Sequence, residues 1–217
     1  MRLRRSPARA ARTARVRTRA AQVWPQLDLF VVPFPTAPVA PPAPLAPLAF
    51  LAPARWELTR PWLVSPHRAR ALRELDAVRA HFPELDDVTV KVGLTKRRSV
   101  LGLAAASGPP MIWIRPRRIR RFAIAHELTH LLQARDLVPG GEKSCDLFAL
   151  ARAHEYVDVA PFYLRIPERL VVPESDGALR PGVAAVLHGL AREAIAGRTV
   201  RSALRWFEQR VATLPES

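Results

Sequence analysis

Cysteine is almost missing from this chain of 217 residues, which contains only Cys145. A single thiol excludes an internal disulfide framework, and it excludes a zinc site built from two or more cysteines of one chain. Glycine is also scarce, with 9 residues against 22 prolines, a ratio far from average usage. We therefore expect a reducing compartment, the cytoplasm, and we expect part of the chain to lack a packed core.

Acidic residues are few, since 19 stand against 34 lysines and arginines and give a formal net charge of +15. This excess predicts a polyanionic partner, and we expect DNA before a membrane surface. Residues 2 to 19 alone hold eight arginines and no acid. That segment is either a nucleic-acid-binding arm or a solubilising tail, and the sequence leaves both open.

Long apolar runs without proline are absent from the N-terminal quarter. Residues 25 to 53 are apolar, but they contain nine prolines. Proline lacks the backbone N–H and clashes with helical carbonyls, so this stretch predicts an extended linker and not a membrane-spanning helix. We expect no membrane association, and we expect residues 1–55 to form a disordered Arg-rich and Pro-rich arm.

From Trp56 onward the apolar pattern predicts an α+β domain. Five segments have the apolar spacing of a helix: 66–82, 119–134, 142–154, 183–196 and 200–211. Three segments are short and strand-like: 88–94, 99–105 and 111–114. Turn-forming residues separate these strands, so we expect a small antiparallel sheet. The last two helices form a predicted C-terminal pair, hinged at Gly197 with Thr199 as N-cap.

The most informative residues are the HELTH segment from His126 to His130 within a predicted helix. Positions i and i+4 lie one turn apart on the same face, with Cβ atoms about 5–6 Å apart. The two histidines can therefore converge on one Zn²⁺ at about 2.0–2.1 Å. Glu127 is rotated by about 100° from its neighbour, so its carboxylate can take a proton from a zinc-bound water. The alternative is two histidines on a helix that bind no metal.

Zinc needs a third protein ligand, and Glu142 follows His130 by twelve residues, beyond a Gly-Gly turn that lets the chain reverse. Glu142 and Asp146 are one helical turn apart, so they can share one face. Asp146 would then accept the remaining N–H of a ligating histidine and fix its tautomer. His154 is the alternative third ligand. We expect Cys145 to point away from this face as a small core residue.

These motifs resemble those of zinc peptidases. HELTH followed by a helix with ExxxD is similar to the gluzincins, and the segment 142–149 looks like the ExxANxFA helix of the ImmA/IrrE-type metallopeptidases. The strands before the HELTH helix resemble those of the minimal SprT-like proteases. The resemblance covers about residues 66–155. Two features depart from these families: the twelve-residue spacing is short for a gluzincin, and SprT-like enzymes use a third histidine.

The resemblance implies peptide-bond hydrolysis by a zinc-activated water, with His126, His130 and Glu142 as zinc ligands and Glu127 as general base. It also implies a minimal zincin-like domain over residues 56–176, in the order helix, small antiparallel sheet, HExxH helix and ligand helix. A C-terminal helical appendix would cover residues 177–217.

Three features near this site have open roles. Tyr163 and Tyr156 follow the ligand helix, and either could donate a hydrogen bond to a developing oxyanion or simply pack. The strand over 111–114 could align an extended substrate by strand addition, or it could be core.

A second basic cluster precedes the HELTH helix and consists of Arg115, Arg117, Arg118, Arg120 and Arg121. Exposed cations at a helix N-terminus oppose the macrodipole at about 0.3–1 kcal/mol each. Contacts with DNA phosphates would offset that conflict through counterion release. The alternative is that these arginines have no binding role and reflect a compositional bias that enriches Arg, Ala and Pro together.

The arm contains one linear motif, formed by Gln26, Leu27, Asp28, Leu29 and Phe30. It resembles the QLxLF peptide with which bacterial replication and repair proteins bind the sliding clamp. Leu29 and Phe30 would fill an apolar pocket, while Gln26 would supply hydrogen bonds. The same apolar residues could instead dock on the chain's own domain.

Two classes of function follow from the sequence. The first is a zinc endopeptidase that acts on a protein substrate and is recruited to DNA, in DNA–protein crosslink or stress-response processing. The alternative is a non-catalytic accessory protein that binds DNA and the sliding clamp and has a structural or vestigial metal site.

Overall fold

The computed structural model describes residues 55–95, 102–104 and 109–215, with the backbone alone for 102–104. The strands are β1 Trp56–Leu58, β2 Val90–Leu94, β3 Gly102–Ala104 and β4 Met111–Ile114. The helices are α1 Arg60–Leu63, α2 Arg68–Arg79, α3 Arg121–Ala134, α4 Glu142–Arg152, α5 Val183–Ile195 and α6 Val200–Ala212. Short 3-10 turns cover Pro83–Leu85 and Glu168–Leu170. Among the described helices, none has the length and apolarity that crossing a bilayer requires.

The four strands form one sheet in the order β1-β2-β4-β3, so the predicted α+β class is confirmed. The predicted antiparallel sheet is wrong. β1 pairs parallel with β2 and β2 pairs parallel with β4, whereas β3 alone runs antiparallel, along β4. The parallel β1–β2 pair needs a crossover connection, and α1 and α2 lie within it. β1 was not predicted, because three residues are too few to show an alternating pattern.

One face of the sheet is closely packed against the rest of the domain. Val90, Val92, Ile112 and Ile114 alternate along β2 and β4 and are buried. Trp62 of α1 is also buried, and its Nε1–H donates to the carbonyl of Gly93 at 3.0 Å. A Cβ at Gly93 would lie 2.3 Å from the side chain of Trp113, so glycine is required there for steric reasons.

Helix α3 is the centre of the domain. It contacts α2, α4, β3 and β4, and ten of its 14 residues are buried, as in a helix surrounded by protein. Its first two backbone N–H groups, of Arg121 and Phe122, each donate to the carboxylate of Asp158 at 3.1 Å. Asp158 therefore supplies the negative charge that the first turn of α3 lacks.

The C-terminal helices belong to the same hydrophobic core. α5 packs on α4, and α6 packs on α5 and α4. Leu187, Phe207 and Val211 are buried in one cluster with Leu150 of α4. Both helices begin where the sequence predicts. Thr199 is at the N-cap position of α6, but its side chain makes no capping hydrogen bond.

Arg79 is a buried cation that binds three backbone carbonyls. The side chain is 1 % exposed. Its guanidinium donates to the carbonyls of Arg55 and Val88, each at 2.6 Å, and to that of Leu85. It also lies over the ring of Trp56, 4.9 Å from the centroid. This one side chain thereby holds the start of β1 against the segment between α2 and β2.

We expect Arg79→Met to lower the free energy of unfolding by about 2–4 kcal/mol, because buried carbonyl oxygens lose their donors. The exposed Arg73 of the same helix is a matched control, and Arg73→Met is expected to change stability by less than about 0.5 kcal/mol. Urea denaturation followed by circular dichroism measures both. Equal stability of the two variants would contradict this role of Arg79.

Candidate metal centre

Helix α3 places His126 and His130 one turn apart, and their Nε2 atoms lie 3.1 Å from each other. Each Nδ1 faces an acceptor. His126 Nδ1 is 2.7 Å from Asp146 Oδ1, and His130 Nδ1 is 2.8 Å from Gln133 Oε1. Because the Nδ1 protons are directed to these acceptors, each neutral ring presents an Nε2 lone pair to the other.

Glu142 is the first residue of α4 and reaches the same point. Its Oε2 lies 3.2 Å from His126 Nε2 and 3.2 Å from His130 Nε2. The preceding Gly141 has a φ of 106°, which side-chain-bearing residues rarely adopt. The predicted Gly-Gly reversal therefore brings the Glu142 carboxylate onto the two imidazoles. This carboxylate is half exposed, whereas His126 is buried.

Cys145 also lies at this cluster, contrary to expectation. Its Sγ and the ligand nitrogens of His126 and His130 lie within 4.8 Å of one another, so these three residues could hold a metal ion. The prediction that Cys145 points away from the ligand face is wrong, because it is three residues after Glu142 and so on the same side of α4. The thiol is buried and donates to the carbonyl of His126 at 3.0 Å. Burial, and then the charge of Asp146, raise the pKa of Cys145 far above its usual range.

Glu127 is a buried carboxyl group next to the histidines. It is 5 % exposed, and its Oε2 has no hydrogen-bond partner within the described part of the chain. Burial raises the pKa of Glu127 to about 8, although the His126 charge opposes that shift. A bound divalent cation nearby would lower this pKa again, because it favours the carboxylate.

Asp146 is completely buried, and both of its oxygens are used. Oδ1 faces His126 Nδ1, and Oδ2 accepts the backbone N–H of Tyr163 at 2.5 Å. Burial of His126 lowers its pKa, but the hydrogen bond to Asp146 and the charges of Asp146, Glu127 and Glu142 outweigh that cost. The pKa of His126 is therefore raised. Asp146 occupies the position expected of a carboxylate that orients His126.

The segment after α4 brings two aromatic rings to the cluster. The Tyr163 ring stacks on His126 with centroids 5.5 Å apart and an angle of 19°. Phe162 meets the same imidazole edge-on at 5.9 Å. Burial raises the pKa of Tyr163. Tyr156, the other predicted oxyanion donor, is buried and donates its hydroxyl hydrogen to the carbonyl of Ala149, so that alternative is wrong.

His154, the alternative third ligand, is not brought to the cluster. It lies beyond the C-terminal end of α4, whereas Glu142 begins this helix of 11 residues, about 16 Å long. Its Nδ1 is 3.6 Å from Glu155, and its ring is 5.8 Å from that of His188.

Gln133 was not predicted from the sequence, although it occupies a central position in the hydrogen-bond network. Its Oε1 faces His130, and its Nε2 donates to the carbonyls of Pro139 at 2.7 Å and Gly141 at 3.1 Å. It thus connects one histidine to the turn that precedes Glu142. Its position three residues after His130, on the same helix face, is the signal that could have identified it.

The basic cluster before α3 is largely paired with acids. Arg118 and Arg120 lie 3.4 and 3.2 Å from Asp176 Oδ2. Arg121 is 2.5 Å from Glu74. Arg117 is exposed and Arg115 half-buried. The motif from Gln26 to Phe30 and the Arg-rich arm lie outside the described residues.

No known protein-family model, curated protein or solved structure matches this chain. We therefore infer the function from the chain's own motif and from the geometry of its side chains.

We expect Gln133→Leu to weaken the binding of a divalent metal ion by about 10–100-fold, because His130 loses the acceptor that fixes its tautomer. Gln209→Leu, at an exposed glutamine of α6, is the matched control. Competition with a chromogenic chelator measures the affinity, and thermal unfolding checks the fold. Unchanged affinity of the Gln133 variant would show that this residue does not position His130.

Proposed function

We propose that the protein is a zinc-dependent endopeptidase with a minimal zincin-like domain. One observation carries the proposal. Three ligand atoms from two packed helices, His126 Nε2, His130 Nε2 and Glu142 Oε2, form a triangle with sides of 3.1–3.2 Å beside the buried Glu127. The HELTH and ExxxD motifs resemble those of zinc peptidases in the same residues.

The triangle fits the size of a zinc ion. Donors bound tetrahedrally at about 2.0–2.1 Å lie about 3.3–3.4 Å apart, close to the three separations. Two imidazoles and one carboxylate are also the ligand types of catalytic zinc, which keeps a fourth position open for solvent or substrate. The Oε2 of Glu127, which has no hydrogen-bond partner in the described part of the chain, further supports a bound ion, because a buried carboxylate needs a hydrogen-bond donor or a cation.

Glu142 is a better third ligand than Cys145. A cysteine binds metal as thiolate, and the buried thiol of Cys145 has a strongly raised pKa and already donates to the carbonyl of His126. Glu142 makes equal contacts of 3.2 Å with both Nε2 atoms. We therefore assign the ligand set to His126, His130 and Glu142, with Cys145 packed behind it.

The proposed mechanism divides the chemistry between the metal and the protein. Bound Zn²⁺ supplies Lewis acidity, which lowers the pKa of a coordinated water to about 7 and polarises the scissile carbonyl. Glu127 accepts the proton of the attacking water and returns it to the leaving amine. Its buried position keeps competing solvent away from the carboxyl group. Asp146 and Gln133 keep the two imidazoles in the tautomer that presents Nε2.

Tyr163 is the proposed donor to the oxyanion. Its backbone is fixed by Asp146, its ring stacks on His126, and the side chain is partly exposed beside the cluster. In the described part of the chain its hydroxyl has no assigned partner, so it can turn toward substrate. An ordinary tyrosine, with a pKa of about 10, is already protonated at neutral pH, and burial raises the pKa of Tyr163 further.

We also propose that positive charge recruits the peptidase to DNA. The support is the net charge of +15 and the eight arginines within residues 2 to 19. The cluster before α3 contributes less than its composition suggests, because Arg118, Arg120 and Arg121 face acidic side chains. Clamp binding through the motif from Gln26 to Phe30 remains a proposal from the sequence.

We expect the purified protein to hold about one zinc per chain, as measured by inductively coupled plasma mass spectrometry. Glu142→Ala and His126→Ala should lose most of this zinc, whereas Cys145→Ala should retain it because its thiol is not a ligand. Loss of zinc in the Cys145 variant and retention in the Glu142 variant would reverse the ligand assignment.

Glu127→Gln should bind zinc like the wild type but cleave labelled, unfolded casein about 10²–10⁴-fold more slowly, because glutamine cannot accept the proton. The matched control is Glu193→Gln, the same substitution at an exposed glutamate of α5, which should leave the cleavage rate unchanged. Cleavage is measured by fluorescence release, with and without single-stranded DNA. Cleavage by the Glu127 variant at the wild-type rate would contradict the mechanism, whereas no cleavage by the zinc-loaded wild type would favour the non-catalytic accessory protein.

A further inference from the structure

A basic groove is lined in part by residues that neighbour the candidate metal centre along the chain. It has a volume of about 650 Å³ and lies between the start of α4, the segment 165–167 and α6. This volume is within the range of ligand-binding pockets. Two lining residues are close in sequence to residues of the centre. Lys143 directly follows Glu142, and Arg165 is two residues after Tyr163. The lining of the groove therefore starts within one or two residues of Glu142 and Tyr163, which we place at the metal.

The walls of the groove are fixed by polar contacts. Lys143 of α4 pairs with Glu208 of α6 at 2.6 Å. On the other side, Arg169 donates to the carbonyl of Ala212 at 2.6 Å and to that of Leu214 at 2.8 and 3.0 Å. These contacts attach α6 both to α4 and to the segment that carries Arg165. The groove is therefore preformed and does not have to be assembled by its ligand.

Three arginines in this groove have no acidic partner among the described residues. Arg165, Arg201 and Arg205 are exposed, and no carboxylate of the described residues lies within 4.0 Å of their guanidinium groups. Arg201 and Arg205 are one turn apart on α6 and so present their charges to the same side. Lys143 is already neutralised by Glu208. The unbalanced charge of the groove therefore comes from three guanidinium groups, which bind carboxylates in a bidentate manner.

Apolar side chains line the same groove. Ile166 and Leu204 are half-buried and pack against the core, and both line the cavity. No aromatic side chain lines the cavity within the described residues, so the stacking surface that single-stranded nucleic acid uses is missing. The groove thus combines positive charge with apolar surface. A polypeptide in which acidic and apolar side chains alternate matches this combination. The chain's own arm has the wrong charge, because residues 2 to 19 are rich in arginine and contain no acid.

We propose that this groove is a substrate subsite that binds an acidic and apolar polypeptide segment next to the scissile bond. The inference rests on the proposed peptidase function, because the occupant is taken to be a substrate chain that crosses the metal and extends into the groove. Carboxylates of the segment pair with Arg165, Arg201 and Arg205. Its apolar side chains contact Ile166 and Leu204. The peptidase thereby prefers cleavage sites flanked by acidic sequence.

Peptide binding to the full-length Glu127→Gln protein tests this subsite without hydrolysis. The probe is a fluorescein-labelled peptide rich in Glu and Leu, compared by anisotropy with the same peptide carrying Gln for every Glu. We expect the acidic peptide to bind at least about tenfold more tightly. Replacing all three groove arginines with Gln should weaken its binding at least about fivefold. The control replaces Arg68, Arg70 and Arg73, exposed on α2, with Gln and should change binding less than about twofold.

Three results would overturn the subsite. They are equal binding of the two peptides, equal losses in both triple variants, and a loss of single-stranded DNA binding in the groove variant with peptide binding unchanged. In the wild-type background, the groove variant should raise KM for an acidic substrate and leave kcat unchanged; an unchanged KM would likewise overturn it. Failure of the peptidase proposal is recognised separately in the casein assay. The wild type would then not cleave unfolded casein, or the Glu127→Gln protein would cleave it at the wild-type rate.

Discussion

The hydrogen bond between His126 and Asp146 connects the two helices on which the candidate centre depends. It spans 2.7 Å between a buried imidazole on α3 and a completely buried carboxyl group on α4. Two further contacts join the same elements, from the Cys145 thiol to the carbonyl of His126 and from Gln133 to the turn before α4. Because both histidines are on α3 and Glu142 is on α4, the ligand separations are set by the packing of these helices.

The centre also brings acidic groups together where burial makes their negative charge unfavourable. Asp146, Glu127 and Glu142 all raise the pKa of His126. Glu127 is buried, and its Oε2 has no hydrogen-bond partner among the described residues. Such a group lowers stability unless a cation or a donor compensates for its burial. Proteins retain such destabilising groups at functional sites. The arrangement is understandable if the site is built to hold a divalent ion and to move a proton through Glu127.

Local features of the sequence predicted the histidine pair and the carboxylates, because residues of one helix related by i+4 share a face. The partners that depend on tertiary packing were missed. Asp158 caps α3 from 36 residues away, and the approach of Cys145 to His126 depends on how α4 docks. The sheet was predicted as antiparallel because β1 was not recognised and because β4 lies between β2 and β3, an order that hydrophobic patterns do not encode.

X-ray absorption spectroscopy of the zinc-loaded protein at the zinc K-edge distinguishes the ligand set of His126, His130 and Glu142 from one that contains Cys145. Coordination by two imidazoles and one carboxylate predicts a first shell of nitrogen and oxygen scatterers at about 2.0–2.1 Å, together with imidazole multiple scattering. A scatterer fitted by sulfur at about 2.3 Å would place Cys145 in the ligand set and contradict coordination by two imidazoles and one carboxylate.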